Sequence, residues 1–209
     1  MHALELDPES GGFRFDTVVV LVARQNGKTR WLLGLALWRL YLDGARLVLS
    51  TAQDLEKAEA LLAEGADLVD ERPALKAELR RHRVSTGQHR IQFKDSRLWR
   101  VQSASGRSGR SYSADLVMMD ELREHRDNET WNAMHPTTAA RARGMVVAAS
   151  NAGDKKSVVL RRLRDKSLQR ITLSQTEDTR TFHAEWSAPE GCEVLDRAGW
   201  VAANPSMGW

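Results

Sequence analysis

The chain has 209 residues, of which 42% are hydrophobic and 28% charged, so it is long enough to bury the core of one good-sized domain. Its net charge of +3 is compatible with a nucleic-acid partner but does not establish one. The single cysteine, Cys192, excludes an internal disulfide and a cysteine-based metal site, and no apolar run is long enough to span a membrane.

A strand, a loop and a helix follow one another near the start of the chain. Residues 1–16 are a polar lead-in, and the apolar run 17–22 predicts a buried strand. The loop 23–29 ends in Gly-Lys-Thr, and residues 31–38 predict a buried helix. This order is typical of the phosphate-binding loop of nucleoside triphosphatases, because loop amides and a helix N-terminus present positive charge to phosphates.

The side chains of this loop suit the same chemistry. Lys28 is expected to reach the β- and γ-phosphates, and the Thr29 hydroxyl to ligate Mg²⁺. The general pattern has a glycine where Val22 stands, so the tripeptide alone is a weak signal, and an ordinary turn with an exposed lysine remains an alternative.

Further strands and helices alternate along the rest of the chain. The expected elements are a strand at 45–50, a helix that begins at Asp54, a helix from Pro73 through Leu79, a hairpin of strands at 90–93 and 98–101, a strand at 116–119, helical sequence around Trp131 and Met134, a strand at 144–150 and a basic helix at 155–170. Apolar strands that alternate with helices imply a mainly parallel sheet covered on both faces.

Two adjacent carboxylates follow the apolar strand at 116–119. Asp120 is expected at the edge of the sheet near Thr29, where it can hold Mg²⁺ through water, and Glu121 is expected to point the other way, towards the attacking water. Taken alone, the pair is typical of a solvated acidic turn. Together with the upstream loop it predicts a nucleoside triphosphatase.

Polar residues also close the strand at 144–150. Ser150, Asn151 and Ala152 lie at a position where a group can contact the γ-phosphate and transmit its departure to a moving part of the protein. An ordinary strand-ending turn of small residues fits the same pattern.

These three segments together resemble the ATPase domain of the large terminase subunit of tailed bacteriophages. That family often lacks the first loop glycine and has an arginine before the Gly-Lys-Ser/Thr, as Arg24 stands here. The resemblance extends from about residue 13 to the end of the chain. It implies a nucleotide site formed by Arg24, Gln25, Asn26, Gly27, Lys28 and Thr29, with Thr29 and Asp120 serving Mg²⁺, Glu121 and Arg24 acting in catalysis, and Ser150, Asn151 and Ala152 forming the coupling motif.

The resemblance also implies partners. Members of the family use ATP and Mg²⁺ to package double-stranded DNA in the host cytoplasm, as a homo-oligomeric ring on the portal protein, together with a small terminase subunit and without a membrane. A neighbouring subunit is expected to supply an arginine. Arg107 and Arg110 are the candidates in the Gly- and Ser-rich segment 103–111, with Arg81, Arg83, Arg97 and Arg100 as alternatives.

Two departures from the family concern the ends of the chain. The residues before the first strand contain no glutamine, so the usual adenine-contacting segment is expected to be absent. No strand-end cluster of acidic residues suggests the family's two-metal nuclease, so DNA cleavage is not expected.

The sequence therefore predicts a three-layer α/β fold of the P-loop NTPase class. We expect a lead-in at 1–16, an ATPase core at 17–154 and a lid with the start of a linker at 155–209. Two alternative functions remain at this stage: one motor domain of a helicase-like ATPase, and a non-catalytic nucleotide-binding module.

Overall fold

The computed structural model describes residues 2–52, 54–83, 89–102, 112–175 and 179–207. Its strands are β1 (Thr17–Leu21), β2 (Leu47–Thr51), β3 (Leu79–Arg83), β4 (Arg90–Phe93), β5 (Leu98–Val101), β6 (Leu116–Met119), β7 (Met145–Ser150) and β8 (Thr181–Glu185). Its helices are α1 (Lys28–Tyr41), α2 (Leu55–Asp70), α3 (Pro73–Lys76), α4 (Glu129–Met134), α5 (Val158–Thr172) and α6 (Arg197–Ala203).

The strands form one eight-stranded sheet in the order β3-β4-β5-β2-β6-β7-β1-β8. All neighbouring pairs from β5 to β8 are parallel, and β4 alone runs antiparallel to both of its neighbours. The carboxyl ends of β1, β6 and β7 therefore meet at one edge of the sheet, which is where ligands bind in open α/β folds.

Successive side chains along the strands point to opposite faces and build two separate cores. Val18 and Leu116 pack with α1 and α2 on one face. Val19 and Val117 pack with α4 and α5 on the other face. The arrangement of helix layer, sheet and helix layer confirms the predicted fold class.

Most predicted elements are present, with two differences. The helix expected from Pro73 through Leu79 ends at Lys76, because Leu79 instead pairs with Phe93 of the hairpin and packs against the core. The strands β3 and β8 and the helix α6 were not predicted. Strand β8 pairs with β1 at the edge of the central sheet; the domain boundary at residue 154 stays a prediction.

The basic helix expected at 155–170 is α5, which begins three residues later. The segment 103–111, with Arg107 and Arg110, lies outside the described residues, so these predicted trans arginines stay predictions. Within the described ranges, no helix is long and apolar enough to cross a bilayer.

Candidate active site

The loop between β1 and α1 begins as an extension of the sheet. The Val22 amide donates a hydrogen bond of 3.0 Å to the carbonyl of Ser150, which continues the pairing of β1 with β7 by one residue. Val22 is buried. The chain therefore leaves the sheet after the position where the general motif has its first glycine, and a side chain at that position packs in the core.

Two residues with left-handed backbone then turn the loop into α1. Gln25 has φ of 62° and Gly27 has φ of 76°. The Gly27 carbonyl accepts the first helical hydrogen bond, from Trp31 at 2.9 Å. The N–H groups of the first turn of α1 have no acceptor within the helix, so they can bind an anion at the cleft.

Lys28 is the basic side chain most closely integrated into this loop. Its Nζ donates to the carbonyls of Val22 at 3.3 Å and Ala23 at 3.0 Å, and to Oδ1 of Asn151. Burial lowers the pKa of Lys28, and the charges of Glu121 and Asp120 partly oppose this shift. The ammonium is thus held by neutral oxygens that a phosphate oxygen can replace.

The two carboxylates follow the end of β6, and Glu121 lines the cleft across from the loop. The prediction that the two carboxylates point in opposite directions assumed that the strand continues through them; instead β6 ends at Met119 and Glu121 adopts a left-handed backbone with φ of 52° and ψ of 49°. The Glu121 amide donates to Oδ1 of Asp120 at 2.9 Å. This backbone turn, rather than the pleat of a strand, places Glu121 in the wall of the cleft.

Asp120 carries a charge that the protein compensates poorly. Burial raises its pKa, against a hydrogen bond from the Glu121 amide and the more distant charges of Lys28 and Lys57. A divalent cation would supply the missing positive charge, and carboxylate and hydroxyl oxygens are the donors that Mg²⁺ prefers. Asp120 and Thr29 therefore carry donor oxygens of the kind that suit a magnesium ion; no cluster of three or more candidate metal ligands occurs within the described ranges.

The cleft between loop and carboxylates has a volume of about 470 Å³ and is strongly basic. The charged side chains that line it are Arg24, Lys28, Arg30, Lys57, Arg123 and Glu121. Among the described residues that line it, Glu121 is the one carboxylate. Thr29 also lines the cleft and is exposed. The arrangement suits a highly anionic ligand.

The side chain of Asn26 holds the loop in place through hydrogen bonds. Its Nδ2 donates to the carbonyl of Arg24 at 3.0 Å and to Oδ1 of Asn204 at 3.0 Å, and its Oδ1 accepts from the Ser206 amide at 3.2 Å. The segment after α6 is thereby attached directly to the phosphate-binding loop, a contact that no sequence pattern indicated.

An apolar cavity of about 350 Å³ adjoins the loop. Trp31, Phe182 and Trp186 contribute aromatic side chains to its lining, and Asn26 and Lys28 contribute to its wall next to the loop. Because Lys28 lines both the basic cleft and this cavity, the two spaces are neighbours.

The predicted coupling residues lie at the end of β7, between loop and carboxylates. Ser150 Oγ accepts a 3.0 Å hydrogen bond from the Arg123 amide, and Asn151 accepts from Lys28. Ala152 lines a different cavity, beside α5. The structure also brings in Arg123, which sequence reasoning missed although it stands two residues after Glu121.

Asp120→Asn is expected to raise the melting temperature when nucleotide and divalent cations are absent. A carboxyl group whose folded-state pKa is raised destabilises the fold when charged, so the gain should be present at neutral pH and shrink as the pH falls and Asp120 binds its proton. Thermal melts in a chelator over a pH series measure it, with the exposed Asp165→Asn as control. An unchanged melting temperature would show that the Asp120 charge is already compensated.

Comparison with known proteins identifies related domains. The family profile described as "Terminase large subunit, ATPase domain" matches residues 8–167. A search of curated proteins found no significant match.

Solved structures of related shape include three phage proteins. The large terminase of bacteriophage HK97 is 20% identical with a TM-score of 0.79, over 98% of this chain and 44% of that chain. The large terminase ATPase domain of Thermus phage P74-26 is 16% identical with a TM-score of 0.59, over 88% and 83%. A large terminase from a thermophilic bacteriophage, in complex with ADP, is 11% identical with a TM-score of 0.61, over 90% and 43%. The chain thus spans less than half the length of the HK97 protein and of the ADP-bound terminase.

Proposed function

This chain belongs to the family of terminase large subunit ATPase domains, and we propose that it hydrolyses ATP to drive the packaging of double-stranded viral DNA into a procapsid. The observation that supports this most strongly is the single basic cleft that brings together Lys28, at the start of α1, and Glu121, beyond the end of β6. Lys28 can hold the phosphates while the Glu121 carboxylate accepts a proton from the attacking water.

The triphosphate binds along residues 23–29. Loop amides and the first-turn N–H groups of α1 donate to its oxygens, and Lys28 exchanges the carbonyls of Val22 and Ala23 for the β- and γ-phosphates. Arg24 lines the same cleft and adds a planar guanidinium for the γ-phosphate.

Hydrolysis requires one proton acceptor and charge neutralisation. Magnesium, held by Thr29 and Asp120, neutralises charge on the phosphate oxygens when bound. Glu121 takes a proton from water as the water oxygen bonds to the γ-phosphorus, and the bond between that phosphorus and the β–γ bridging oxygen breaks to release ADP.

The adenine base occupies the apolar cavity beside the loop. Trp31, Phe182 and Trp186 offer aromatic faces to a purine, and this cavity adjoins Lys28. Side chains from α1 and from β8 and its end supply these adenine contacts, and His2 and Ala3, which precede the first strand, line the same cavity.

Coupling to movement runs through the end of β7. Asn151 and Ser150 contact Lys28 and Arg123, so departure of the γ-phosphate changes the partners of residues on both sides of the cleft. Ala152 continues this segment towards α5, whose exposed side chains include Arg161 and Lys166.

The further partners are those of the family. They are double-stranded DNA, the portal protein, a small terminase subunit and copies of this chain in a ring, with Arg107 or Arg110 supplied in trans. The work takes place in the host cytoplasm while the ring is docked on the procapsid. The exposed basic residues on and just before α5, Lys155, Lys156, Arg161, Arg162 and Lys166, supply charge for phosphate contacts with DNA.

Steady-state ATP turnover with and without linear double-stranded DNA tests this function. We expect turnover that rises with DNA and rises steeply with protein concentration, as a trans arginine requires. Unwinding of a forked duplex by this chain would instead favour a helicase. Nucleotide binding without turnover at any concentration would favour a non-catalytic module.

Arg24→Ala is expected to lower kcat/KM for ATP by about 10- to 100-fold, the value of one charge-assisted hydrogen bond to phosphate. Arg24 is exposed, so its removal should leave the melting temperature unchanged. Arg24→Lys, which keeps the charge but not the planar fork, should recover part of the loss. The role assigned to Arg24 is wrong if turnover is unaffected or falls only in step with stability.

A further inference from the structure

Arg123 forms the closest contact to the carboxylate on which hydrolysis depends. Its Nε donates to Oε2 of Glu121 at 2.9 Å, and its Nη2 donates to Glu124 at 3.0 Å. The side chains of Arg123 and Glu121 are 24% and 19% exposed, so the pair is partly shielded from water and is screened less than a surface ion pair.

The cleft places competing cations around Glu121. Lys28 and Lys57 line the same cleft, and the Glu121 charge already acts on Lys28. A carboxylate without a fixed partner in this cleft would be drawn to Lys28, where it would neutralise the charge needed for phosphate and would no longer face water. The contact with Arg123 opposes that movement.

The backbone of Arg123 is fixed independently of its side chain. Its amide donates to the buried Ser150 Oγ at the end of β7, and Leu122 beside it is buried in the core. The guanidinium is therefore presented from a short 3₁₀ turn, Leu122–Glu124, that is anchored to the sheet. An anchored donor restricts the rotamers of the carboxylate it binds.

We propose that Arg123 is a positioning residue that holds the Glu121 carboxylate on the wall of the cleft, oriented towards water and away from Lys28. The inference rests on the proposed function, in which Glu121 is the general base. Arg123 acts through Glu121 and does not bind the nucleotide itself. Because the Arg123 amide also donates to Ser150, the position of the Glu121 carboxylate is linked to that of the coupling segment.

Arg123→Ala is expected to lower kcat by about 10- to 100-fold, the cost of misplacing a reacting group by about 1 Å. Affinity for Mg·ATP-γ-S should change less than about threefold, since the phosphates are held by residues 23–29. Arg123→Lys, which keeps a charged donor, should restore part of kcat. In the Glu121→Gln background, Arg123→Ala should cause little further loss, because both changes disable the same group.

The matched control is Arg126→Ala, an exposed arginine three residues further on, which should keep full turnover. Thermal melts separate misfolding from mispositioning, and Arg123→Gln, which retains a side chain of similar reach, replaces Arg123→Ala if the alanine variant melts early. The proposal is overturned if Arg123→Ala keeps normal turnover, if it loses nucleotide affinity as much as kcat, or if its effect adds fully to that of Glu121→Gln. Normal turnover by Glu121→Gln would instead overturn the proposed function itself.

Discussion

Glu121→Gln is expected to lower kcat by about 10²–10⁴-fold, the usual contribution of a general base. Glutamine keeps the size of the side chain and can keep a contact with Arg123, but it cannot accept a proton from water. Affinity for Mg·ATP should change little, because the loop and Lys28 are untouched. Single-turnover kinetics with equilibrium binding of ATP-γ-S separate these two quantities.

Asp120→Asn provides the contrast for this variant. It removes the charge that balances Mg²⁺, so it should weaken Mg·ATP binding as well as turnover, while raising stability without the metal as argued above. If Glu121→Gln loses ATP binding as severely as Asp120→Asn, or retains normal turnover, the roles assigned to the two carboxylates are wrong.

Lys28→Ala is expected to reduce turnover by at least about 10²-fold, comparable to the loss of one preorganised charge donor in a buried site. It should also weaken ATP binding, because Lys28 is the loop cation that replaces neutral carbonyl partners with phosphate oxygens. Phosphate-release assays and ATP-γ-S titrations measure the two effects.

Two comparisons make the result for Lys28 interpretable. Lys94→Ala, an exposed lysine beyond β4, should behave as wild type. Removing Lys28 also takes one donor from each of the Val22 and Ala23 carbonyls, so circular dichroism and a melt must show a folded protein before turnover is compared. Near-wild-type turnover in a folded Lys28→Ala protein would exclude this loop as the site.

Elements that form a continuous apolar run, or that flank a clear turn signal, could be predicted from the sequence. The strands β1, β6 and β7 are apolar on both faces, and the hairpin turns at Asp95 and Ser96, so local pattern alone was sufficient. Strand β8 could not be predicted in this way, because its residues are only partly buried at the edge of the sheet and its pairing with β1 joins distant parts of the chain.

The chemistry of the site was more predictable than its geometry. Lys28, Asp120 and Glu121 are indicated by residue type and spacing, and the structure brings Lys28 and Glu121 to one cleft. The left-handed turn at Glu121 and the contact with Arg123 depend on how the chain leaves β6, which no periodicity encodes. The hydrogen bond from Asn26 to Asn204 joins residues far apart in the sequence, so it could not be predicted either.

A crystal structure of the protein with Mg²⁺ and ATP-γ-S tests the central claim most directly. The claim predicts a triphosphate along residues 23–29, Lys28 bonded to β- and γ-phosphate oxygens in place of Val22 and Ala23, and Glu121 facing a water beyond the γ-phosphorus. Nucleotide bound elsewhere, with Lys28 still donating to the loop carbonyls and Asn151, would contradict it.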